Sequence, residues 1–252
     1  MKLDLSKNDF YTQKAKNEGY PARSVYKLQE IDRKFNVFKE SDSALDLGAA
    51  PGSWLLYISK KVGLKGRVIG VDIEDLKVNL PANSVFIKKN VFDDDFFDIL
   101  IRCCHPEASS DEPKDLTRSV ALSETKGLVE STKEILRLDA SGRRLAPSIF
   151  NVVVSDLAPR TSGLHEKDVA DCLDLAQRAF EIACQALEVG GDFVCKIFEG
   201  TDVDEFVREV EKNFKIVKRY RPQAVRRGSR EFYLIAKNYE GEHTTGDHLA
   251  VE

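Results

Sequence analysis

The segment Ala44-Leu45-Asp46-Leu47-Gly48-Ala49-Ala50-Pro51-Gly52-Ser53-Trp54 constrains the fold more than any other part of the chain. An apolar run enters two glycines and a proline, then leaves into a periodic apolar stretch from Trp54 to Val62. That order predicts a strand, a tight loop and a helix start. Glycine lets a backbone approach a ligand closely, and a helix N-terminus presents N–H groups that lack intrahelical partners. Gly48 and Gly52 do not reproduce the G-x-G-x-x-G dinucleotide fingerprint. Taken alone, the segment is also compatible with an ordinary βα turn.

A second signal narrows the choice. Gly66 to Asp72 is another short apolar run, and it ends in an acid. In nucleotide-binding α/β folds an acid about 20 residues after the glycine loop, at the end of the second strand, bonds the ribose hydroxyls. Asp72 is therefore the expected ribose ligand, against the simpler reading of a solvated acid at a strand end. With this spacing the loop reads as the first loop of an S-adenosylmethionine site.

The rest of the chain alternates in the same way. Strands are expected near 43–47, 67–72, 84–88, 150–155, 191–198, 214–220 and 231–237, with helices near 53–62, 166–188 and 202–213. Pro21 to Phe35 reads as an N-terminal helix, with Ala22, Val25, Leu28, Ile31 and Phe35 on one stripe. Arg23, Lys27, Glu30 and Lys34 then share an exposed face. Gly190-Gly191 is expected to stop the long helix. The prediction is an α/β Rossmann-like fold: a mostly parallel seven-stranded sheet with helices on both faces, its last two strands free to run antiparallel. Residues 1–240 form one domain in this reading. Residues 103–148 interrupt it as an insertion, with helical spacing from Leu116 to Leu138, and 241–252 form an acidic, disordered tail.

Composition sets the outer limits. The chain has 252 residues, and no apolar run approaches the ~18 residues of a membrane span. Met1 to Lys16 is polar and predicts no secretory leader, and Asp4 and Asp9 speak against a transit peptide. The five cysteines form no C-x-x-C pair, and Cys103-Cys104-His105 lacks a second ligand pair, so neither a disulfide framework nor a metal site is expected. Cys172, Cys184 and Cys195 lie in apolar patterns and read as buried thiols in a reducing cytoplasm. Net charge is −4, yet Lys212 to Arg230 holds eight basic residues and no acid. That run is either a solvated face or a phosphate-binding surface.

Two further strand ends carry chemistry. The fourth strand runs into Asp156-Leu157-Ala158-Pro159, and ligands of open α/β sheets sit at the carboxyl ends of strands. The fifth, Asp192 to Phe198, places Lys196 among apolar residues, where an ammonium is costly without a partner. A structural Lys–Asp pair would explain this, and so would a functional one. Ser229-Arg230-Glu231 opens the seventh strand, where Glu231 could reach Lys196.

These residues together resemble the FtsJ family, of the RlmE type, of S-adenosylmethionine-dependent RNA ribose 2′-O-methyltransferases. The resemblance rests on Ala22-Arg23-Ser24 with Lys27-Leu28, Asp46 to Trp54, Asp72, Asp156 to Pro159, Val194 to Gly200, and Ser229 to Glu231. It implies a catalytic set of Lys27, Asp156, Lys196 and Glu231. It implies cofactor contacts at Gly48, Gly52, Trp54, Asp72, Asp156 and Asn90, the last standing where the family has an acid. Transfer of a methyl to a ribose hydroxyl needs in-line alignment and removal of a proton. A desolvated lysine beside another cation can act as the base. Lys196 is that candidate, with Lys27 as the second charge, while Asp156 and Glu231 orient the lysines. Alternatively, Lys196 only steers the hydroxyl.

Rival chemistries fit less well. An RNA cytosine-C5 methyltransferase needs a cysteine nucleophile, and Arg160 stands where it would be. An amino-methylating enzyme would carry an Asn/Asp-Pro-Pro-aromatic loop, and an NAD-dependent oxidoreductase would carry the missing fingerprint. A non-catalytic RNA-binding ribosome-assembly factor would have little reason to keep all four catalytic residue types. RNA contact is expected from Arg23, Lys34, Lys218, Arg226, Arg227 and Arg230. The family comparison implies a uridine in large-subunit rRNA, with tRNA as the alternative, and a monomer that engages RNA and no membrane.

Overall fold

Seven strands form one sheet, whose inner members bury side chains on both faces while the edge strand Phe214–Tyr220 is largely exposed. In chain order they are β1 (Ser43–Leu47), β2 (Arg67–Asp72), β3 (Ser84–Lys88), β4 (Phe150–Ser155), β5 (Leu187–Phe198), β6 (Phe214–Tyr220) and β7 (Glu231–Tyr239). The spatial order is β3-β2-β1-β4-β5-β7-β6. The first five are parallel, and β7 is antiparallel to both of its neighbours. The computed structural model describes residues 5–104, 137–138, 144–145, 149–159, 162–226 and 228–241.

The described residues form six helices, α1 (Leu5–Asn17), α2 (Val25–Phe35), α3 (Ser53–Val62), α4 (Phe96–Cys104), α5 (His165–Ala186) and α6 (Val203–Glu211), of which α1 packs on α2 and α3 rather than on the sheet. One sheet face packs Leu45, Leu47, Ile69 and Val153 against α4, α5 and α6. The other packs Ala44, Val68, Val194, Tyr233 and Ile235 against Leu28 and Ile31 of α2 and Trp54, Leu55 and Ile58 of α3. This is the expected Rossmann-like arrangement, and the last two strands do pair antiparallel. No helix among the described residues is long and apolar enough to cross a membrane.

Several expectations need correction. The N-terminal helix starts at Val25 rather than Pro21, because residues 21–24 form turns pinned to α3. There Ala22 N donates to Ser53 Oγ at 2.8 Å, and Trp54 Nε1 donates to Ser24 O at 3.0 Å. The long helix ends at Ala186, before the glycine pair. Leu187 already pairs with Phe150, so Gly190-Gly191 lies inside β5 beside a register shift. Helices α1 and α4 were not anticipated. Of the insertion, Cys103 and Cys104 close α4, and Arg137–Leu138 pairs antiparallel with Arg144–Leu145. Residues 105–136 of the insertion, with most of the stretch expected to be helical, lie outside the described residues, as do 242–252 of the acidic tail. Cys172 and Cys195 are buried as expected, whereas Cys184 is only half-buried.

Candidate functional site

The parallel strands β1, β2 and β4 end on one edge of the sheet, and their following loops meet there. Gly48 has φ +85°, and a Cβ on it would lie 2.8 Å from Leu157 N and 3.1 Å from the Asp156 carbonyl carbon. The residue must be glycine because the loop after β1 crosses the loop after β4 at backbone contact. Gly52, at φ +109°, caps α3, with a Val78 methyl 2.4 Å from where its Cβ would stand. Ala50-Pro51, between the two glycines, is cis. Asp72 closes the loop: its Oδ2 accepts from Ala50 N and its Oδ1 from Glu74 N, each at 2.9 Å.

Trp54 departs from a simple ligand role. Its indole is buried, bonded to Ser24 O and packed on Tyr233 with ring centroids 5.9 Å apart. Its backbone N–H lies in the first turn of α3, where such groups lack an intrahelical partner. Asn90 is exposed after β3, on the same edge as Asp72, and its Oδ1 accepts from Phe92 N at 3.1 Å.

The four charged residues expected to catalyse come together as two pairs. Lys196 is buried on β5; its Nζ donates to Asp156 O at 2.8 Å and lies 3.3 Å from Asp156 Oδ1. Lys27 Nζ of α2 lies 2.5 Å from Glu231 Oε1. That oxygen has no hydrogen bond of good geometry although it is buried, so the contact is best described as ionic. Glu231 therefore faces Lys27 rather than Lys196. The register puts it opposite Phe198, with Tyr233 opposite Lys196.

Tyr233 links the pairs. Its hydroxyl donates to Asp156 Oδ1 at 2.9 Å, and Lys27 Nζ sits 5.9 Å from its ring centroid. Burial, then the Asp156 and Glu231 carboxylates, raise its pKa well above the usual phenol value, so it remains a donor. Burial alone would raise the Asp156 pKa, but Lys196, Lys27 and the Tyr233 hydroxyl outweigh it and hold that carboxyl below its ordinary value.

One residue of this site was not singled out from the sequence. Asp46 is fully buried in β1, and neither carboxylate oxygen has a hydrogen-bond partner among the described residues. Its signal was available, since an acid inside an apolar strand is as anomalous as Lys196 in β5. The crevice thus offers backbone N–H groups, a carboxylate at the ribose position and an uncompensated buried carboxylate. These suit a ligand that carries a ribose and a positive charge, as S-adenosylmethionine does.

The basic surface is only partly as expected. Arg23 Nη2 donates to Ala224 O at 2.8 Å, its guanidinium lies over Tyr11, and burial and then the neighbouring Arg226 lower its pKa, with Tyr11 and Glu231 opposing. Arg23 therefore lies near both Arg226 and Glu231. The α2 face is not simply exposed. Glu30 accepts from Tyr220 Oη at 2.5 Å and from Gln223 N, so this face packs on the segment joining β6 to β7. Lys34 is exposed, with Nζ 4.1 Å from the Tyr220 ring centroid, and Lys218 is exposed on edge strand β6. Arg230 Nη1 lies 2.5 Å from His165 Nε2 at the start of α5. Arg227 lies outside the described residues.

Comparison with known proteins is consistent with this geometry. The family model for FtsJ-like methyltransferases matches residues 20–239. The chain is 38% identical over 237 residues to a ribosomal RNA large subunit methyltransferase E of Nitratidesulfovibrio vulgaris, covering 94% of this chain and 96% of that protein. It is 35% identical over 227 residues to the protein of the same name from Desulforapulum autotrophicum, covering 90% of each. Among solved structures, a ribosomal RNA methyltransferase from Plasmodium falciparum shares the fold, with a TM-score of 0.62 at 22% identity, covering 88% of this chain and 100% of that one.

Proposed function

The chain belongs to the FtsJ-like methyltransferase family, and from that premise we propose that it methylates a ribose 2′-hydroxyl in large-subunit ribosomal RNA, with a uridine as the expected nucleoside. The methyl donor is S-adenosylmethionine. The observation that carries the reading is the double ion pair Lys196–Asp156 and Lys27–Glu231, joined through Tyr233 beside the glycine loop.

When bound, the cofactor supplies a methyl group activated on a sulfonium. The remaining work falls to the chain's own residues. The loop from Gly48 to Trp54 receives the cofactor through backbone N–H groups, while Asp72 and Asn90 hold its nucleoside end. Lys196 Nζ would align the reacting hydroxyl and, as the uncharged amine, take its proton as the O–C bond forms and the methyl–sulfur bond breaks. Asp156 fixes Lys196 through both its carbonyl and its carboxylate. Glu231 holds Lys27, which keeps positive charge beside the site. Arg23 and Arg226 receive phosphates next to the catalytic pairs, and Lys34, Lys218, Arg227 and Arg230 extend the basic surface. The protein acts in this reading as a cytoplasmic monomer, one catalytic domain over residues 1–240.

The test is transfer of labelled methyl from S-adenosylmethionine to purified large ribosomal subunits and, in parallel, to bulk tRNA, followed by nucleoside analysis. A 2′-O-methyluridine from large subunits alone is expected. Label in tRNA would move the substrate, and a base-methylated product would overturn the lysine chemistry. For the proton, the wild-type rate is expected to rise with pH through one ionisation that vanishes in Lys196→Ala, whose kcat falls by roughly 10²–10⁴-fold. A pH profile unchanged by that substitution would leave Lys196 only the steering role.

A further inference from the structure

Helix α1 takes no part in the sheet, yet it carries an aromatic ring into solvent. Tyr11 and Ala15, one turn apart, face the body of the protein and pack with Tyr20, Val25, Tyr26 and Ala224. Phe10 stands outside that contact and is 61% exposed. A single exposed apolar residue is ordinary, so exposure alone assigns nothing. The surroundings of this one do. Phe10 meets Tyr11 edge to face, with ring centroids 5.5 Å apart. Tyr11 lies 5.3 Å from the Tyr26 ring, and the Arg23 guanidinium sits 5.3 Å from the Tyr11 centroid. Lys14 follows Phe10 by one turn on the same helix face. Its Nζ lies 4.7 Å from the Tyr26 centroid and 3.7 Å from Glu18 Oε1. Arg23 in turn lies near Arg226 and Glu231. A row of rings and cations thus runs from Phe10 to Glu231, the partner of Lys27.

Rings interleaved with cations suit single-stranded nucleic acid, in which every base has a face to stack and every linkage a phosphate to neutralise. We propose that Phe10 is a stacking platform for an unpaired nucleobase of the substrate RNA, flanking the nucleotide that is methylated. Tyr11 backs the platform, and Arg23 and Arg226 take phosphates between it and the catalytic pairs. The proposal rests on the reading of this molecule as an RNA methyltransferase. A protein surface could also cover a ring, but Lys14, Arg23 and Arg226 around this one favour a polyanion.

Equilibrium binding of the full chain to unmodified large-subunit rRNA, transcribed in vitro, tests this. Affinity for S-adenosylmethionine, melting temperature and oligomeric state are measured alongside. Phe10→Ala and Phe10→Leu are expected to weaken RNA binding roughly 5- to 100-fold, the range for losing one stacked base. Cofactor affinity and melting temperature should not move, because the ring is exposed. The slope of log affinity against log salt should stay at its wild-type value, because stacking neutralises no phosphate. Phe10→Trp is expected to bind RNA as wild type does and to report the stacking directly. The one native tryptophan, Trp54, is buried, so quenching beyond that of wild type on RNA binding belongs to the introduced indole. Should Phe10→Ala melt lower than wild type, that fluorescence decides. Unchanged RNA affinity in Phe10→Ala would overturn the proposal and leave the methyltransferase reading intact. Full affinity in Phe10→Leu would do the same, since leucine keeps apolar area but has no π face, and so would an unquenched indole on bound RNA. A dimer lost in Phe10→Ala with RNA binding unchanged would give the ring to a second copy of the chain instead. Absence of RNA binding by wild type would remove the reading of the substrate, and the proposal with it.

Discussion

Gly48 shows how a single missing Cβ holds the site together. The nearest atoms to a Cβ at that position are backbone, and backbone cannot rotate away. Gly48→Ala is therefore expected to lose roughly 1–3 kcal/mol, read as a melting temperature several degrees lower. A shift under about 1 °C would show that the loops after β1 and β4 part at little cost. Asp46 predicts the opposite sign. Its folded-state pKa is raised, so above the unfolded value the folded chain keeps a proton that the unfolded chain has lost, and stability falls as pH rises through that window. Asn has no such proton. Without cofactor, Asp46→Asn is expected to melt above wild type, with a gain that grows from pH 5 to pH 8 by up to about 1.4 kcal/mol per pH unit within the window. A variant melting below wild type at both pH values would remove the buried-charge argument. Asp156, Lys196 and Glu231 were legible as candidates because they end, interrupt and open an apolar run, whereas Lys27 came from the family resemblance. Their pairing was not. Which lysine meets Glu231 depends on the offset between β5 and β7, and that offset places Glu231 two residues beyond Lys196 along the sheet edge.

Elements were readable where their period was clean. The six sheet strands other than β5 match expectation within two residues, and all of these but the edge strand β6 are short apolar runs between turn residues. Helix α1 has no apolar stripe in its sequence. It is held instead by Tyr11 and Ala15 packing with Tyr20, Val25, Tyr26 and Ala224, contacts that no local period announces. Helix α4 is a nine-residue stretch too apolar to distinguish helix from strand by pattern. Helix α2 is anchored by an acid that the sequence did not single out. Asp32 is buried and accepts from Val37 N and Phe38 N at 3.1 Å and from Tyr57 Oη at 2.6 Å, with Lys61 Nζ 2.9 Å away. It closes the end of α2 and ties it to α3, and so sets where Lys27 stands. Asp32→Ala leaves those donors unsatisfied and is expected to cost roughly 3 kcal/mol, or about 6–12 °C in melting temperature. An unchanged melt, or a lower one without loss of methyl transfer, would separate this anchor from the placement of Lys27.

At the scale of the whole molecule, charge is distributed rather than summed. A chain of net charge −4 holds eight basic residues and no acid from Lys212 to Arg230, with Arg226 beside Arg23. Affinity for substrate RNA is therefore expected to fall steeply with salt. Arg226→Glu combined with Arg227→Glu should weaken RNA binding and flatten that salt slope without changing affinity for S-adenosylmethionine. Unchanged RNA binding by the double variant would move the contact surface elsewhere.

Strand β7 is the last of the sheet to be made, yet it lies inside it, between β5 and β6. It carries Glu231 and Tyr233, the residues that hold Lys27 and Asp156. A growing chain can thus assemble the whole cofactor loop, Lys27, Asp156 and Lys196 while the site is still lacking two of its parts. In the proposed mechanism the site is therefore complete only in a chain that extends past residue 233 with the final hairpin paired into the sheet.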